Sequence, residues 1–174
     1  MTTKTPPTIS LLSPNGFLFG VQKYPELTYF LQEVQLPSIQ MGESLQSTSL
    51  LDIKTPGDTL VFDDLQINFL VDERMDNYLA IQDWMFGLGF PIDHEQSIRY
   101  FASARNAQSR TPAAKMVSDC FLTILSSDNL PTRKFSFIDA FPTALSGISM
   151  QSTGNDVPYV VATLTMAYSY FTVD

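Results

Sequence analysis

The chain has 174 residues, of which 44% are hydrophobic and 16% charged, and its formal net charge is −8. This length fits one domain, 1–174, with its own hydrophobic core. The acidic balance argues against binding to duplex DNA, which needs a basic surface for the phosphates, and no apolar run reaches the roughly 18 residues of a membrane helix. The single cysteine, Cys120, excludes an internal disulfide. The first ten residues lack a signal-peptide pattern, so we expect a protein of cytosolic origin.

Two short strands open the predicted fold. Residues 17–22 carry large apolar side chains at alternate positions, which is typical of a strand. A second strand is predicted for 28–36, where Pro37 closes it. The next segment, 37–58, is rich in Ser, Gln and Gly with scattered Leu and Ile. This composition predicts an extended loop or arm.

Residues 57–89 hold the most informative pattern of the chain. Within 65–71 apolar residues occupy every second position, as in a half-buried strand. Over 78–88 the apolar residues recur three or four positions apart, which predicts one amphipathic helix with Asp72 or Asp76 as its N-cap. The apolar stripe of this helix consists of Tyr78, Ile81, Trp84, Met85 and Leu88.

The remaining segments continue the β pattern. Residues 93–115 are polar and predict a long loop, which in a compact domain usually binds a partner or becomes ordered on assembly. Strands are predicted for 117–125 and 133–141, and a last strand over 160–173 would extend about 40 Å. The order of elements predicts a mainly β fold, an antiparallel β-barrel or sandwich with one packed α-helix.

The charge of the chain is unevenly distributed. Residues 99–134 contain six of the ten basic residues and two acidic ones, a local charge of +4, so the rest of the chain carries −12. This basic window is either a solvated segment with incidental cations or a surface that docks on an acidic part of a neighbouring subunit. Both interpretations stay open. The six basic residues are Arg99, Arg105, Arg110, Lys115, Arg133 and Lys134.

Little in the chain points to catalysis. The one histidine, His94, lies between two acidic residues in the predicted loop, which is typical of a surface side chain. Asp63 and Asp64, or the carboxylates at 72–73, could serve acid–base or metal chemistry, but a turn and the acidic start of the helix explain them better. Trp84 fits the core better than a ligand site. Since nucleotide, metal and hydrolase motifs are absent, we expect no enzyme, no cofactor, no metal and no catalytic residue.

Three segments resemble the tube-forming proteins of contractile bacteriophage tails. Leu65–Met85 is similar to a strand that runs through an acidic turn into a helix with an Asp-Trp pair, here Asp83 and Trp84. Residues 126–150 and 155–171 are similar as well, with a Leu-Pro, a Phe-Pro and a closing strand in the same order. Within this family the helix resembles most the baseplate protein that initiates the tail tube, and next the major tail tube protein.

The resemblance implies a structural protein of the virion tail, assembled in the bacterial host cytoplasm without a membrane partner. Six copies would join their strands into a homohexameric ring, which would stack on adjacent tail tube or baseplate hub rings, with the sheath protein as a further partner. DNA would pass through the channel without specific binding, because six times −8, or −48, formal charges repel phosphate. The hydroxyl face of the last strand, with Thr163, Thr165 and Ser169, would meet the channel or another subunit.

Two other functions stay open at this point. A small β-barrel that binds an apolar ligand as a closed monomer would show a similar pattern of strands. A hydrolase built on Asp63, Asp64 and His94 is the third hypothesis. Unpaired strand edges favour the ring, because ring closure pairs them without open-ended growth.

Overall fold

A computed structural model of the chain describes residue 12 and residues 14–89, 94–102, 116–150 and 159–174. Within these ranges it contains nine strands, two α-helices and one 3-10 helix. The strands are β1 Phe17–Val21, β2 Leu31–Gln35, β3 Ile39–Ser47, β4 Asp52–Phe62, β5 Leu65–Leu70, β6 Ser118–Leu125, β7 Pro131–Leu145, β8 Val161–Ala167 and β9 Tyr170–Val173. The helices are α1 Asp76–Gly89, α2 His94–Ala102 and the 3-10 helix Pro25–Tyr29.

Seven strands form one antiparallel sheet with two parts. The order along the sheet is β1–β6–β7–β8–β5–β2, and β9 pairs with β7. β7 belongs to both parts, because Phe135–Ile138 pair with β9 and Phe141–Leu145 pair with β8. Asp139 lies between them with a left-handed φ of 56°, and its N–H donates to the Asp119 carboxylate at 3.2 Å. This β-bulge directs β7 from the first layer (β1, β6, β9) to the second layer (β8, β5, β2).

The mainly β, antiparallel class is confirmed. β1 and β2 stand at the two ends of the strand order, and no pairing joins them among the residues that the structure describes. The barrel is therefore open. A monomeric ligand-binding barrel would need this gap to be closed.

The hydrophobic core takes side chains from both layers. β5 buries every second residue, Leu65, Ile67 and Phe69, as its alternation predicted. Cys120 is buried as well, and burial, with a smaller contribution from Asp119, raises the pKa of its thiol. The other strands contribute Phe19, Val21, Leu122, Phe137, Ala162, Leu164 and Met166.

Helix α1 turns its predicted apolar stripe toward the core. Ile81 and Trp84 are fully buried, and the other three residues of the stripe are partly buried. The Trp84 ring stacks on Tyr24 with centroids 5.0 Å apart, and its indole N–H donates to the Met116 carbonyl at 3.0 Å. The predicted core role of Trp84 is confirmed.

The start of α1 differs from the prediction. Met75 has a φ of 60° and its carbonyl accepts the Leu79 N–H at 2.9 Å, so Met75 and neither aspartate occupies the N-cap. The Asp72 carboxylate instead accepts the backbone N–H groups of Arg74 at 2.6 Å and Asp76 at 3.4 Å. Asp72 therefore orders the turn before the helix, where its charge meets the positive end of the dipole.

A second helix, α2, corrects the predictions of one helix and of a loop over 93–115. It begins at His94 and packs so closely on α1 that a Cβ on Gly87 would lie 2.2 Å from Cγ of Tyr100. This helix has only nine residues and few large apolar side chains. Its sequence therefore shows no clear helical repeat within the polar segment. The rest of the predicted loop, 103–115, lies outside the described residues.

Residues 37–58, predicted as an extended loop or arm, are not a loop. β3 and β4 form a separate antiparallel hairpin, with a register from Ile39 opposite Phe62 to Ser47 opposite Asp52. All nine residues of β3 are exposed. Because neither side of the hairpin packs on a core, the apolar–polar alternation that marks a half-buried strand does not arise.

The last strand is interrupted. β8 ends at Ala167 and pairs with β5 and β7, whereas β9 begins at Tyr170 and pairs with the first half of β7. The single strand predicted for 160–173 is therefore wrong, because its two pieces belong to different layers. β2 likewise begins at Leu31 rather than at residue 28, since a 3-10 helix precedes it.

Candidate assembly surfaces

The second layer ends in two unpaired strand edges. Among the described residues β2 pairs with β5 only, and Phe141–Leu145 of β7 pair with β8 only. These edges stand at opposite ends of the order β7–β8–β5–β2. Because edge N–H and C=O groups accept another strand, this layer can continue from one copy of the chain to the next.

The solvent face of the second layer carries a hydrogen-bonded polar row across three strands, next to the apolar pair Leu70 and Val161. The Asn68 amide donates to the Glu33 carboxylate at 2.9 Å, and the Thr163 hydroxyl donates to the Asn68 side-chain oxygen at 2.8 Å. Thr163 and Thr165 thus lie outside the core, and their predicted position toward a channel stays a prediction. Cross-strand pairing places these side chains on this polar face: Glu33, Gln35, Gln66, Asn68, Thr163 and Thr165.

The β3–β4 hairpin exposes apolar side chains along its whole length. At its tip Leu50 is 96% exposed and Leu51 is 71% exposed. Thr48 holds the tip, since its N–H donates to the Leu51 carbonyl at 3.3 Å and its hydroxyl oxygen accepts the Leu51 N–H at 3.2 Å. Such a concentration of exposed apolar surface indicates a contact with another chain. The further exposed apolar residues are Ile39, Met41, Leu45, Ile53, Leu60 and Val61.

The root of the hairpin is held by polar and aromatic contacts. The Ser38 hydroxyl donates to the Asp63 carboxylate, and the Asp63 N–H donates to the Ser38 carbonyl at 3.1 Å. The Phe62 ring lies 6.2 Å from the Tyr168 ring and 5.5 Å from the Phe171 ring, centroid to centroid. Burial, with the carboxylates of the β4–β5 turn, raises the pKa of Tyr168 to about 12. The root therefore fixes the direction of the hairpin.

A cleft of about 370 Å³ opens where the barrel fails to close. It lies between β1 and the start of β2, the two ends of the seven-stranded sheet. Three uncharged polar residues complete its lining, so none of the described residues that line it is charged. The apolar walls are Phe17, Leu18, Phe19 and Leu31.

The structure places the residues considered for chemistry on separate elements. Asp63 and Asp64 form the two-residue connection between β4 and β5. His94 is the first residue of α2 rather than part of a loop. Within the described ranges no group of three His, Cys, Asp or Glu residues could hold a metal ion, and no helix is long and apolar enough to cross a membrane.

The basic window divides between a helix and a strand. Arg99 forms an ion pair with Glu95 on α2, N to O 3.1 Å. On β7, the Lys134 amine lies 5.4 Å from the centre of the Phe121 ring. Docking of this window on a neighbour stays a prediction, because three of its six cations lie outside the described residues: Arg105, Arg110 and Lys115.

Comparison with known proteins places the chain in a family. A model of the phage tail tube protein family matches residues 6–174. The chain belongs to this family. The resemblance seen in Leu65–Met85 is thereby confirmed. Tail tube proteins are structural components of the virion tail and not enzymes.

One curated relative and two solved structures of similar fold match most of the length of this tail tube protein. The tail tube terminator protein of Enterobacteria phage T4 is 25% identical over 149 residues, 82% of this chain and 76% of the T4 protein. A chain of the anti-feeding prophage baseplate has a TM-score of 0.61 at 11% identity. The match covers 95% of this chain and 96% of the baseplate chain. A chain of the anti-feeding prophage cap, which terminates the tube, has a TM-score of 0.61 at 13% identity. The match covers 96% of this chain and 93% of the cap chain.

Proposed function

We propose that six copies of this tail tube protein, each folded as one domain 1–174, close into a ring of the contractile tail tube. The observation that carries the proposal is the pair of edges, β2 and Phe141–Leu145, that stand at opposite ends of one layer and are unpaired among the described residues. When the edge of one copy pairs with the other edge of the next, the contact is head to tail, and a closed ring leaves no edge open. The sixfold symmetrised baseplate that contains a chain of the same fold supports six copies.

The polar face of the second layer would line the channel of this ring. The opposite face of the same layer packs on the core, with Ile67 and Leu164 buried, so the polar face alone is free to meet a channel. Glu33 is the one charged side chain among the six residues named on it. These six residues include no Lys or Arg that would bind phosphate, and six Glu33 carboxylates repel it. Such a channel lets DNA pass without specific binding.

The favoured position in the tail is the end of the tube. The T4 relative is a tail tube terminator and aligns with 82% of this chain. The initiator position expected from the sequence is the second candidate, because the baseplate chain and the cap chain share this fold equally, each with a TM-score of 0.61. On either assignment the neighbours are tube or baseplate hub rings and the sheath, and assembly takes place in the bacterial host cytoplasm.

The purified full-length chain tests the ring. Light scattering on a sizing column should give about 117 kDa, six copies of the 19.5 kDa chain, either alone or after addition of preformed tail tubes. Negative-stain class averages should show sixfold rings with a central channel. The purified protein is then added to isolated baseplates and, separately, to tube ends. Ring formation on baseplates indicates the initiator, and ring formation on tube ends indicates the terminator. A species of 19.5 kDa under all these conditions would contradict the proposal.

A further inference from the structure

We propose that Asp119 is a positioning residue for ring assembly, because its carboxylate holds the β-bulge that directs the free edge of β7 toward the next copy. The inference rests on the proposed ring function, in which Phe141–Leu145 pair with β2 of a neighbour. It assigns the assembly of copies a dependence on a side chain that lies outside the pairing edge itself.

The bulge lies where β7 passes from the first layer to the second. Between two regular pairs of β6 and β7, Asp119 alone stands opposite both Ile138 and Asp139. The φ of 56° at Asp139 is left-handed, a conformation that glycine adopts most readily in such bulges. Aspartate tolerates this backbone less well than glycine does, so the contacts around it decide whether the bulge keeps its shape.

Asp119 supplies the contact that holds the bulge. Its carboxylate accepts the Asp139 N–H at 3.2 Å, and this bond replaces the strand pairing that a bulged residue lacks. The main chain of Asp119 is itself fixed, because its carbonyl accepts the Gln22 N–H at 3.0 Å. The neighbouring Ser118 is buried, and its hydroxyl oxygen accepts the Lys23 N–H at 3.2 Å. The carboxylate is therefore presented to β7 from a main chain that is tied to the end of β1.

The other side of β7 changes its partner at the same level. The Ile138 carbonyl accepts the N–H of Ser169 at 3.0 Å, and Ser169 lies in the break between β8 and β9. Ala140, the residue after Asp139, is fully buried. The free edge begins with the next residue, Phe141, so no loop separates the bulge from the edge. The direction of the edge thus depends on the geometry of the bulge.

A small change in the bulge would produce a large displacement along the edge. The edge Phe141–Leu145 extends about 16 Å at roughly 3.3 Å per residue. A rotation of about 20° at Asp139 would therefore move the far end of the edge by about 5 Å, which is about the spacing of two paired strands. Such an edge would no longer meet β2 of the next copy in register.

Exposure separates this role from a role in folding. Asp119 and Asp139 are both exposed, so water can replace the lost hydrogen bond in the monomer. Removal of the carboxylate should therefore lower the thermal midpoint of the monomer by less than about 4 °C. Assembly has no such substitute, because hydrogen bonds between copies form only when the edge has the right direction.

Assembly of the full-length chain tests the role of the carboxylate. Asp119→Ala should raise the protein concentration for half-maximal ring formation, measured by light scattering, at least about tenfold, since each contact loses one or two hydrogen bonds. Asp119→Asn keeps an acceptor oxygen and should stay within about threefold of the wild type. Asp128→Ala is the matched control, because it removes the same charge from an exposed position on the β6–β7 turn, and it should not raise this concentration.

A glycine rescue tests the mechanism. Asp119→Ala combined with Asp139→Gly should recover most of the lost assembly, because glycine adopts the left-handed φ without the contact from Asp119. A direct contact between Asp119 and the neighbouring copy would not be restored by a change at Asp139. Absence of recovery, or equal assembly of Asp119→Ala and the wild type, would overturn the proposal and leave the ring intact.

Hydrogen exchange of the monomer tests the positioning apart from the ring. In Asp119→Ala the amides of residues 139–145 should exchange at least about tenfold faster than in the wild type, and in Asp119→Asn they should not. Unchanged exchange in Asp119→Ala would overturn the proposal. A wild-type chain that never forms rings would remove the proposed ring, whereas faster exchange in the variant would still support the hold of Asp119 on the edge.

Discussion

Asn77 joins α1 to the end of β5 through a buried side chain. Its amide donates to the Leu70 carbonyl at 2.8 Å, and its side-chain oxygen accepts the N–H groups of Tyr78 at 2.8 Å and Asp72 at 3.3 Å. Asn77→Leu keeps the size and removes all three hydrogen bonds. At about 1 kcal/mol for each bond, with the partly buried partners left unsatisfied, the loss is about 3 kcal/mol of the free energy of unfolding.

Urea denaturation of the monomer, with thermal melting beside it, measures this loss. For a domain of this size, 3 kcal/mol corresponds to a decrease of roughly 6–12 °C in the thermal midpoint. Asp83→Leu is the matched control, because Asp83 is exposed on the same helix, and it should change stability by less than about 0.5 kcal/mol. Equal effects of the two substitutions would refute the role given to the Asn77 hydrogen bonds.

Two further predictions concern the helix contact and the hairpin root. Gly87→Ala should displace α2, since its Cβ would lie 2.2 Å from Cγ of Tyr100, and urea denaturation should show a loss of about 1–3 kcal/mol in the free energy of unfolding. Gly89→Ala is the control and should show no such loss, because no atom lies within 4 Å of its Cβ. The pKa of Tyr168 is raised from near 10 to about 12, so between these values the unfolded chain loses the proton that the folded chain keeps, and stability falls as pH rises through that window. Tyr168→Phe should preserve stability at neutral pH, because the hydroxyl has no hydrogen-bond partner in the described part of the chain, and should flatten this alkaline decline; a decline as steep as in the wild type would contradict the assignment.

The parts of the fold that could be predicted are those in which one face of an element is buried. β5 and α1 each bury one face, so their residues follow periods of two and of about 3.6. The resemblance of Leu65–Met85 to tail tube proteins depends on the same buried pattern, and the family match over residues 6–174 confirms it.

The parts that could not be predicted depend on contacts beyond the local sequence. The hairpin of β3 and β4 buries neither face, so Ser, Gln and Gly gave it the composition of a loop. The break between Ala167 and Tyr170 is invisible in the sequence, because the alternation continues while the chain leaves β5 and the second half of β7 and pairs with the first half of β7. The cleft beside β1 needs the three-dimensional position of both sheet ends, and no motif marks it.

The lateral contact between copies is tested most directly by a cryo-EM reconstruction of the assembled ring at a resolution that shows the main chain. Our account predicts N–H to O=C hydrogen bonds, about 2.7–3.2 Å between N and O, from β2 of one copy to residues 141–145 of the next, with Thr163 and Thr165 facing the channel. A ring in which either edge faces solvent, or in which these two threonines are buried between layers, would contradict it.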